Sequence, residues 1–149
     1  MAVDHRALIE SIADVHNRRD WDGLGRIFAD DCIEEYPQSG EVIRGLMNVR
    51  AVRENYPGQL PDGGIDLSSA RIAVSDERWI VTPMFTVVRV QDSGNVGTAM
   101  FRIRYPDGST WWNVILYEMR AGKVARSTAF FAPLFDAPEW RVPYVEQQV

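Results

Sequence analysis

Cysteine and histidine are scarce in this chain of 149 residues, which contains one cysteine, Cys32, and two histidines, His5 and His16. A lone cysteine excludes an internal disulfide bond and is typical of a reducing, cytoplasmic compartment. The two histidines do not have the spacing of a zinc site, and the chain has no glycine-rich phosphate loop. We therefore expect the protein to work without a cofactor, metal ions included.

The sequence also lacks long apolar runs and an excess of positive charge. No run approaches the ~20 apolar residues that span a bilayer, and the N-terminus lacks the apolar core of a signal peptide. The formal net charge of -5 argues against a nucleic-acid surface. With 46% hydrophobic residues, a chain of this length can bury a sizeable core. We expect a single domain over 1–149 with no membrane or nucleic-acid partner.

The first segment with helical periodicity covers 4–19. Its apolar stripe consists of Leu8, Ile12 and Val15. Asp4 is a good N-cap residue for this helix. The helical phase places His16 beside the stripe, where it is either a histidine at the rim of the core or a pocket group.

Two further helices are predicted before the first glycine- and proline-rich loop. Asp20 begins a short helix that ends at 29–31, and a third helix covers 46–56. In the third helix, the buried side includes either Val52 or Arg53. The basic flank of this helix, formed by Arg44, Arg50 and Arg53, is predicted to face solvent, with an anion site as the alternative. The loop over 59–64 is long enough to cover a pocket.

A short strand over 32–36 separates the second and third helices. Alternation puts Cys32, Glu34 and Tyr36 on one face of this strand. Pro37 ends the strand because proline has no backbone N–H to donate. Polar side chains at such a strand end, just before a helix, are well placed to line a cleft.

From position 65 onwards the hydrophobic period changes to two. Strands are predicted over 66–75, 78–90, 97–105, 109–120 and 123–130, and short turn-like separators predict an antiparallel meander. Pro83, in the long apolar strand, predicts a bend that lets the sheet curl around the helices.

Alternation also assigns the two faces of the sheet. The inner face carries aromatic side chains and one amide, namely Phe101, Tyr105, Trp111, Asn113 and Tyr117. These residues predict the wall of a small-molecule pocket, with a plain aromatic core as the alternative. The outer face places Arg102 or Arg104 near Glu118 or Arg120 across strands.

An apolar patch on the outer face predicts a homodimer interface. Its members are Met100, Trp112, Val114 and Leu116. An exposed apolar patch of this kind is usually covered by a partner. The segment 130–149 is rich in aromatic residues and proline, and we expect it to pack on the domain or on the partner subunit.

The order of these elements, together with local motifs, resembles the nuclear transport factor 2-like superfamily, and in particular its SnoaL-like (polyketide cyclase-like) branch. The motifs are Trp21-Asp22-Gly23-Leu24, Tyr36-Pro37-Gln38-Ser39-Gly40-Glu41, Ile43-Arg44-Gly45, Glu54-Asn55-Tyr56-Pro57-Gly58 and Gly122-Lys123-Val124-Ala125-Arg126. The resemblance implies an α+β cone in which three N-terminal helices pack on a strongly curved, mainly antiparallel sheet. It also implies a dimer whose pocket opens between helices and sheet.

The resemblance also maps the family's catalytic positions onto this chain. The last-strand histidine and aspartate of SnoaL-type cyclases fall on Ser127 and Ala129. In ketosteroid isomerase-like members, the general base falls on Tyr36 and the oxyanion tyrosine on Ile12. This chain therefore departs from both catalytic patterns.

Two functions follow as expectations. The first is a pocket protein that binds a hydrophobic, oxygenated ligand, with Glu34, Asn113 and the inner aromatic residues as its lining. The alternative is a metal-free lyase, isomerase or cyclase acting on a polyketide- or steroid-like substrate. In that enzyme His16 is the base, Tyr36 donates a hydrogen bond to a substrate oxygen, and Glu34 or Asn113 tunes them.

Overall fold

The computed structural model describes residues 3–57, 65–74 and 94–147. Two α-helices, α1 (His5–Asn17) and α2 (Leu46–Glu54), flank a 3-10 helix over Trp21–Arg26. The predictions for the loop over 59–64 and the strand over 78–90 lie outside the described residues. None of the helices in the described ranges has the length and apolar character of a bilayer-spanning segment.

Six strands form one mixed sheet among the described residues. They are β1 (Phe28–Tyr36), β2 (Glu41–Arg44), β3 (Ile65–Val74), β4 (Val96–Arg104), β5 (Thr110–Arg120) and β6 (Lys123–Pro133). The spatial order is β2-β1-β6-β5-β4-β3, and every neighbouring pair is antiparallel except β1 with β6. The sheet is curled but not closed, which confirms the predicted α+β fold with a curved, mainly antiparallel sheet.

The N-terminal helices begin where their capping residues predict. Asp4 Oδ1 accepts a hydrogen bond from Ala7 N at 2.9 Å, and Asp20 Oδ1 accepts one from Gly23 N at 3.1 Å. The helix α2 instead begins after Gly45, whose φ of 83° is a conformation that favours glycine. The buried side chains of these elements pack onto the inner face of the sheet, and they include Ile9, Ile12, Val15, Leu24 and Val49.

The first sheet segment differs from prediction in one strand boundary and in one additional strand. The strand β1 begins at Phe28, so residues 29–31 belong to the strand and do not end a helix. Between Phe28 and Ile33 the register against β6 shifts, and this irregularity obscures the strand pattern in the sequence. The edge strand β2 was not predicted, because four residues with little burial carry almost no periodic signal.

The predicted charge pairs across β4 and β5 are wrong. Arg102 lies opposite Trp112, and Arg104 lies opposite Thr110. The hairpin turn sets this register, because Tyr105 N donates to Ser109 O at 2.9 Å and so closes a tight loop. The Arg102 guanidinium consequently stacks over the Trp112 ring, 4.8 Å from its centroid.

The last strand is longer than predicted. It continues to Pro133, so that residues 131–133, expected in the C-terminal tail, pair with β5. Beyond it the chain exposes Leu134, Phe135, Trp140 and Tyr144, with 50%, 80%, 72% and 84% of their surface accessible.

Candidate functional site

A cavity of about 910 Å³ lies between the helices and the inner face of the sheet. Its mouth is bordered by the turn after β1, the end of α2 and the β4–β5 turn, where Gln38, Pro57 and Asp107 lie. Its inner end is bordered by Ile12 and Val124. The walls are mostly apolar, which is typical of sites that enclose small organic molecules.

The sheet side of the cavity consists of the residues that alternation placed on the inner face. Phe101, Tyr105, Trp111, Asn113 and Tyr117 all line the cavity. Near the mouth, Tyr105 stacks on Tyr56 with ring centroids 5.9 Å apart, and Trp111 meets Tyr105 edge-on at 6.0 Å. The aromatic residues therefore form a continuous wall along β4 and β5.

A buried ion pair is the polar centre of the cavity. The Arg53 Nη1 and Nη2 atoms each lie 2.7 Å from one carboxylate oxygen of Glu34. The side chains of Arg53 and Glu34 are only 12% and 8% exposed. Tyr36 Oη donates to Glu34 Oε2 at 2.9 Å. Two charges and a phenol thus satisfy one another inside an otherwise apolar space.

His16 is attached to the same cluster. Its Nδ1 lies 2.7 Å from Ile12 O, and since a carbonyl oxygen only accepts, Nδ1 carries the proton. Arg53 Nε donates to His16 Nε2 at 3.2 Å, so the remaining lone pair of the imidazole is occupied. The structure therefore brings His16, Arg53, Glu34 and Tyr36 into one chain of hydrogen bonds.

The environment shifts the pKa of each member of this cluster. Burial, together with the positive charge of Arg53, lowers the pKa of His16 to about 4. Burial by itself would raise the pKa of Glu34, but the charge and hydrogen bonds of Arg53 outweigh it and hold that pKa below its usual value. Burial and the charge of Glu34 raise the pKa of Tyr36. Near neutral pH the cluster therefore holds an ionised Glu34–Arg53 pair with His16 and Tyr36 uncharged.

Arg53 was predicted to lie on a solvent-facing basic flank, and that prediction is wrong. Val52 is 41% exposed, whereas Arg53 follows the fully buried Val49 by four residues and turns towards β1. Helical spacing had left Val52 and Arg53 as alternatives. The sequence signal that favours Arg53 is Glu34, because a carboxylate on the buried face of a strand requires a cation as its partner.

Tyr117 combines a cavity-lining ring with a hydroxyl group that is bonded elsewhere. His5 Nε2 donates to Gly94 O at 2.8 Å, so its Nδ1 accepts the Tyr117 hydroxyl proton at 2.7 Å. The hydroxyl reaches His5 across β4 at Gly97, where a Cβ atom would overlap the end of the Tyr117 side chain. Only the apolar part of Tyr117 therefore faces the cavity.

The described residues contain no group of three or more histidine, cysteine, aspartate or glutamate side chains placed to hold a metal ion. Besides the Glu34–Arg53 cluster, the polar lining of the cavity includes Asn113 and Ser127 on the sheet wall and, at the mouth, groups such as Glu41 and Asp107.

The family model of the SnoaL-like domain matches residues 9–127, a range that includes all four residues of the polar cluster. The chain belongs to the SnoaL-like domain family. This family membership, with the curled α+β sheet, places it in the nuclear transport factor 2-like superfamily. Ser127 and Ala129, onto which the resemblance maps the last-strand histidine and aspartate of SnoaL-type cyclases, line the cavity.

Several solved structures share this fold. A nuclear transport factor 2-like protein of unknown function from Burkholderia xenovorans LB400 is 30% identical over 97% of this chain and 94% of that chain, with a TM-score of 0.67. A putative ketosteroid isomerase from Kribbella flavida DSM 17836 is 23% identical over 97% and 89%, with a TM-score of 0.65. An LEH-like epoxide hydrolase from M. tuberculosis is 12% identical over 84% and 80%, with a TM-score of 0.53. No curated protein matches the chain.

Proposed function

We propose that this SnoaL-like domain binds a hydrophobic, oxygenated small molecule in the cavity between its helices and its sheet. The observation that carries the proposal is a space of about 910 Å³ with aromatic walls and a single buried charged cluster. A plain core would fill such a space with side chains, because empty apolar volume destabilises a folded protein. Oxygen atoms of a ligand find hydrogen-bond partners there, while its apolar body packs on Phe101, Tyr105 and Trp111.

Acid–base catalysis by His16 and Tyr36 is the second candidate function. It is favoured by the position of both side chains in one buried network next to the cavity. For His16 to accept a proton, its Nε2 lone pair must first be released from Arg53, and the lowered pKa of His16 makes it a weak base. The names of two structural relatives, a ketosteroid isomerase and an epoxide hydrolase, are consistent with small organic substrates. Binding without catalysis is therefore the function that the geometry supports best.

We also propose a homodimer formed through the outer face of the sheet. Met100, Val114 and Phe130 lie opposite one another across β4, β5 and β6, with Trp112 and Leu116 on the same face of β5. All five side chains keep accessible surface. A second copy would cover this patch. The tail after Pro133 begins at the edge of the patch, and we expect the tail to add to the contact.

The experiment that tests ligand binding compares substitutions at two alanine positions. Ala129 is buried and lines the cavity, whereas Ala7 is exposed on α1 outside it. Ala129→Trp, with the smaller Ala129→Leu as a second filling variant, is expected to abolish binding of small aromatic ligands measured by calorimetric titration. Ala7→Trp is expected to bind like the original protein. Equal binding by all of these folded proteins would contradict a ligand site in the cavity.

A further inference from the structure

We propose that the cavity selects an uncharged ligand with an oxygen function at each end, the inner one held by Ser127 and the outer one by Asn113. This inference rests on the proposed binding function and names its ligand class.

Ser127 is a buried residue whose hydroxyl group has no partner among the described residues. Ser127 is 6% exposed, lines the cavity, and makes no hydrogen bond through its side chain to any described residue. Within the described ranges, Arg102 Nε is the one side-chain nitrogen or oxygen atom that is both sealed off and unpaired. The Ser127 Oγ atom therefore borders the open space of the cavity. Since it borders the cavity and has no partner among the described residues, this hydroxyl group can exchange a hydrogen bond with a ligand atom.

Sheet register places Ser127 at the inner end of the cavity. Ser127 lies opposite Glu34 on β1 and opposite Tyr117 on β5. Towards the mouth, Phe131 follows on the same face of β6, and its backbone contacts Gln38 in the turn that borders the opening. A ligand oxygen that reaches Ser127 therefore has passed the full aromatic wall.

Asn113 provides the second polar position on the sheet wall. It is 3% exposed, and its Nδ2 atom donates to Phe130 O at 3.1 Å, while its Oδ1 atom has no partner among the described residues. Asn113 pairs with Phe131, four residues beyond Ser127 on β6. Because a strand rises about 3.3 Å per residue, the two polar positions are separated by roughly 13 Å along the sheet. The wall between them, at Ala129 and Ile115, is apolar.

The charges around the cavity disfavour an anionic ligand. Arg53 is the cation that lines it, within the part of the chain that the structure describes, and both of its terminal nitrogen atoms are bound to Glu34. Two carboxylates, Glu41 and Asp107, lie at the mouth. An anion would either be buried without a counter-ion or have to displace Glu34, and both are costly.

A biphenyl series tests the inference. The probes are biphenyl, 4-phenylphenol, 4,4′-dihydroxybiphenyl and 4′-hydroxybiphenyl-4-carboxylate, which share one apolar body and differ in their end groups. Dissociation constants are measured for the original chain and for Ser127→Ala and Asn113→Ala. Ser127→Thr retains the hydroxyl group and Thr128→Val changes the opposite face of the strand, so these two serve as controls.

Each hydroxyl group of the probe is expected to tighten binding about fivefold, the value of one hydrogen bond. Ser127→Ala should weaken 4,4′-dihydroxybiphenyl by about the same factor and leave biphenyl unaffected, as should Asn113→Ala. Thr128→Val should bind like the original chain, and Ser127→Thr should recover the preference for 4,4′-dihydroxybiphenyl over biphenyl that Ser127→Ala loses. The carboxylate probe should bind more weakly than 4-phenylphenol.

Two other results have distinct meanings. In the first, Ala129→Trp blocks binding, but the affinity does not depend on the probe hydroxyl groups, Ser127 and Asn113, or it is highest for the carboxylate probe. This result would overturn the two-ended neutral ligand and leave the cavity as the binding site. No binding of any biphenyl, or binding that both cavity-filling variants at Ala129 leave unchanged, would overturn the proposed function as well.

Discussion

Arg53 on α2 donates a hydrogen bond to each carboxylate oxygen of Glu34 on β1, and both nitrogen–oxygen distances are 2.7 Å. This bidentate contact joins a helix to the sheet at the polar centre of the cavity. Since the pair is almost fully buried, stability is lost mainly when one partner is removed and the other stays buried with an unpaired charge.

Removing one member of this pair should destabilise the fold strongly. Arg53→Met or Glu34→Gln is expected to lower the free energy of unfolding by about 3–5 kcal/mol, measured by denaturant titration. The double variant should lose much less than the sum of the two single losses, because it buries no unpaired charge.

Arg50 supplies the matched control, since it lies on the same helix and pairs with Glu54 and Asp22 in contact with solvent. Arg50→Met should cost only a small fraction of the Arg53→Met loss. Equal losses for the two arginines, or strictly additive losses for Arg53 and Glu34, would contradict a coupled buried pair.

His16 should make stability depend on pH. Its pKa is about 4 in the folded protein against an ordinary 6.5, so the unfolded chain takes up the proton first. The stability that neutral His16 provides is complete above pH 6.5 and is lost as the pH falls towards 4. The slope in that window is about 1.4 kcal/mol per pH unit.

His16→Gln removes the titrating group and retains an amide oxygen that can accept from Arg53. Between about pH 7 and about pH 5, the original chain should lose about 2 kcal/mol more unfolding free energy than His16→Gln. Denaturant titrations at the two pH values measure this, and parallel losses in the two proteins would show that His16 titrates as in an unfolded chain.

Gly97 should be intolerant of any side chain. A Cβ atom at this position would overlap the Tyr117 hydroxyl group and lie 3.0 Å from His5 Nδ1. We expect Gly97→Ala to destabilise the protein by about 2 kcal/mol or more, measured as a shift of the denaturation midpoint. Gly25→Ala is the control, since its Cβ would meet only Leu46 Cδ2 at 3.6 Å. A neutral Gly97→Ala would mean that Tyr117 does not reach His5 across the strand.

The outer face of the sheet should control the oligomeric state. Val114→Lys places a charge in the middle of the apolar patch and is expected to convert a dimer into a monomer in sedimentation equilibrium. Val42→Lys, on the exposed edge strand β2, should leave the mass unchanged. A monomeric original chain, or a Val114→Lys variant that remains dimeric, would rule out this interface.

Local patterns in the sequence determined much of the fold. Apolar spacing and the capping residues Asp4 and Asp20 marked the first two helices, and strict alternation along β4 and β5 separated the cavity wall from the outer face. These features depend on neighbours a few residues away, so they can be inferred without the tertiary structure. The family resemblance, shown by the match over residues 9–127, followed from the order of the same elements.

The tertiary structure alone decided the chemistry of the site. Helical spacing could not choose between Val52 and Arg53, and nothing local links Arg53 to a carboxylate nineteen residues earlier in the chain. The parallel pairing of β1 with β6, which sets Glu34 beside Ser127, joins segments more than ninety residues apart. Electrostatic partners and unpaired hydroxyl groups are defined by distances between segments that are remote in the sequence. The sequence therefore determined which strand faces line a cavity, while only the three-dimensional arrangement decided which polar groups meet there.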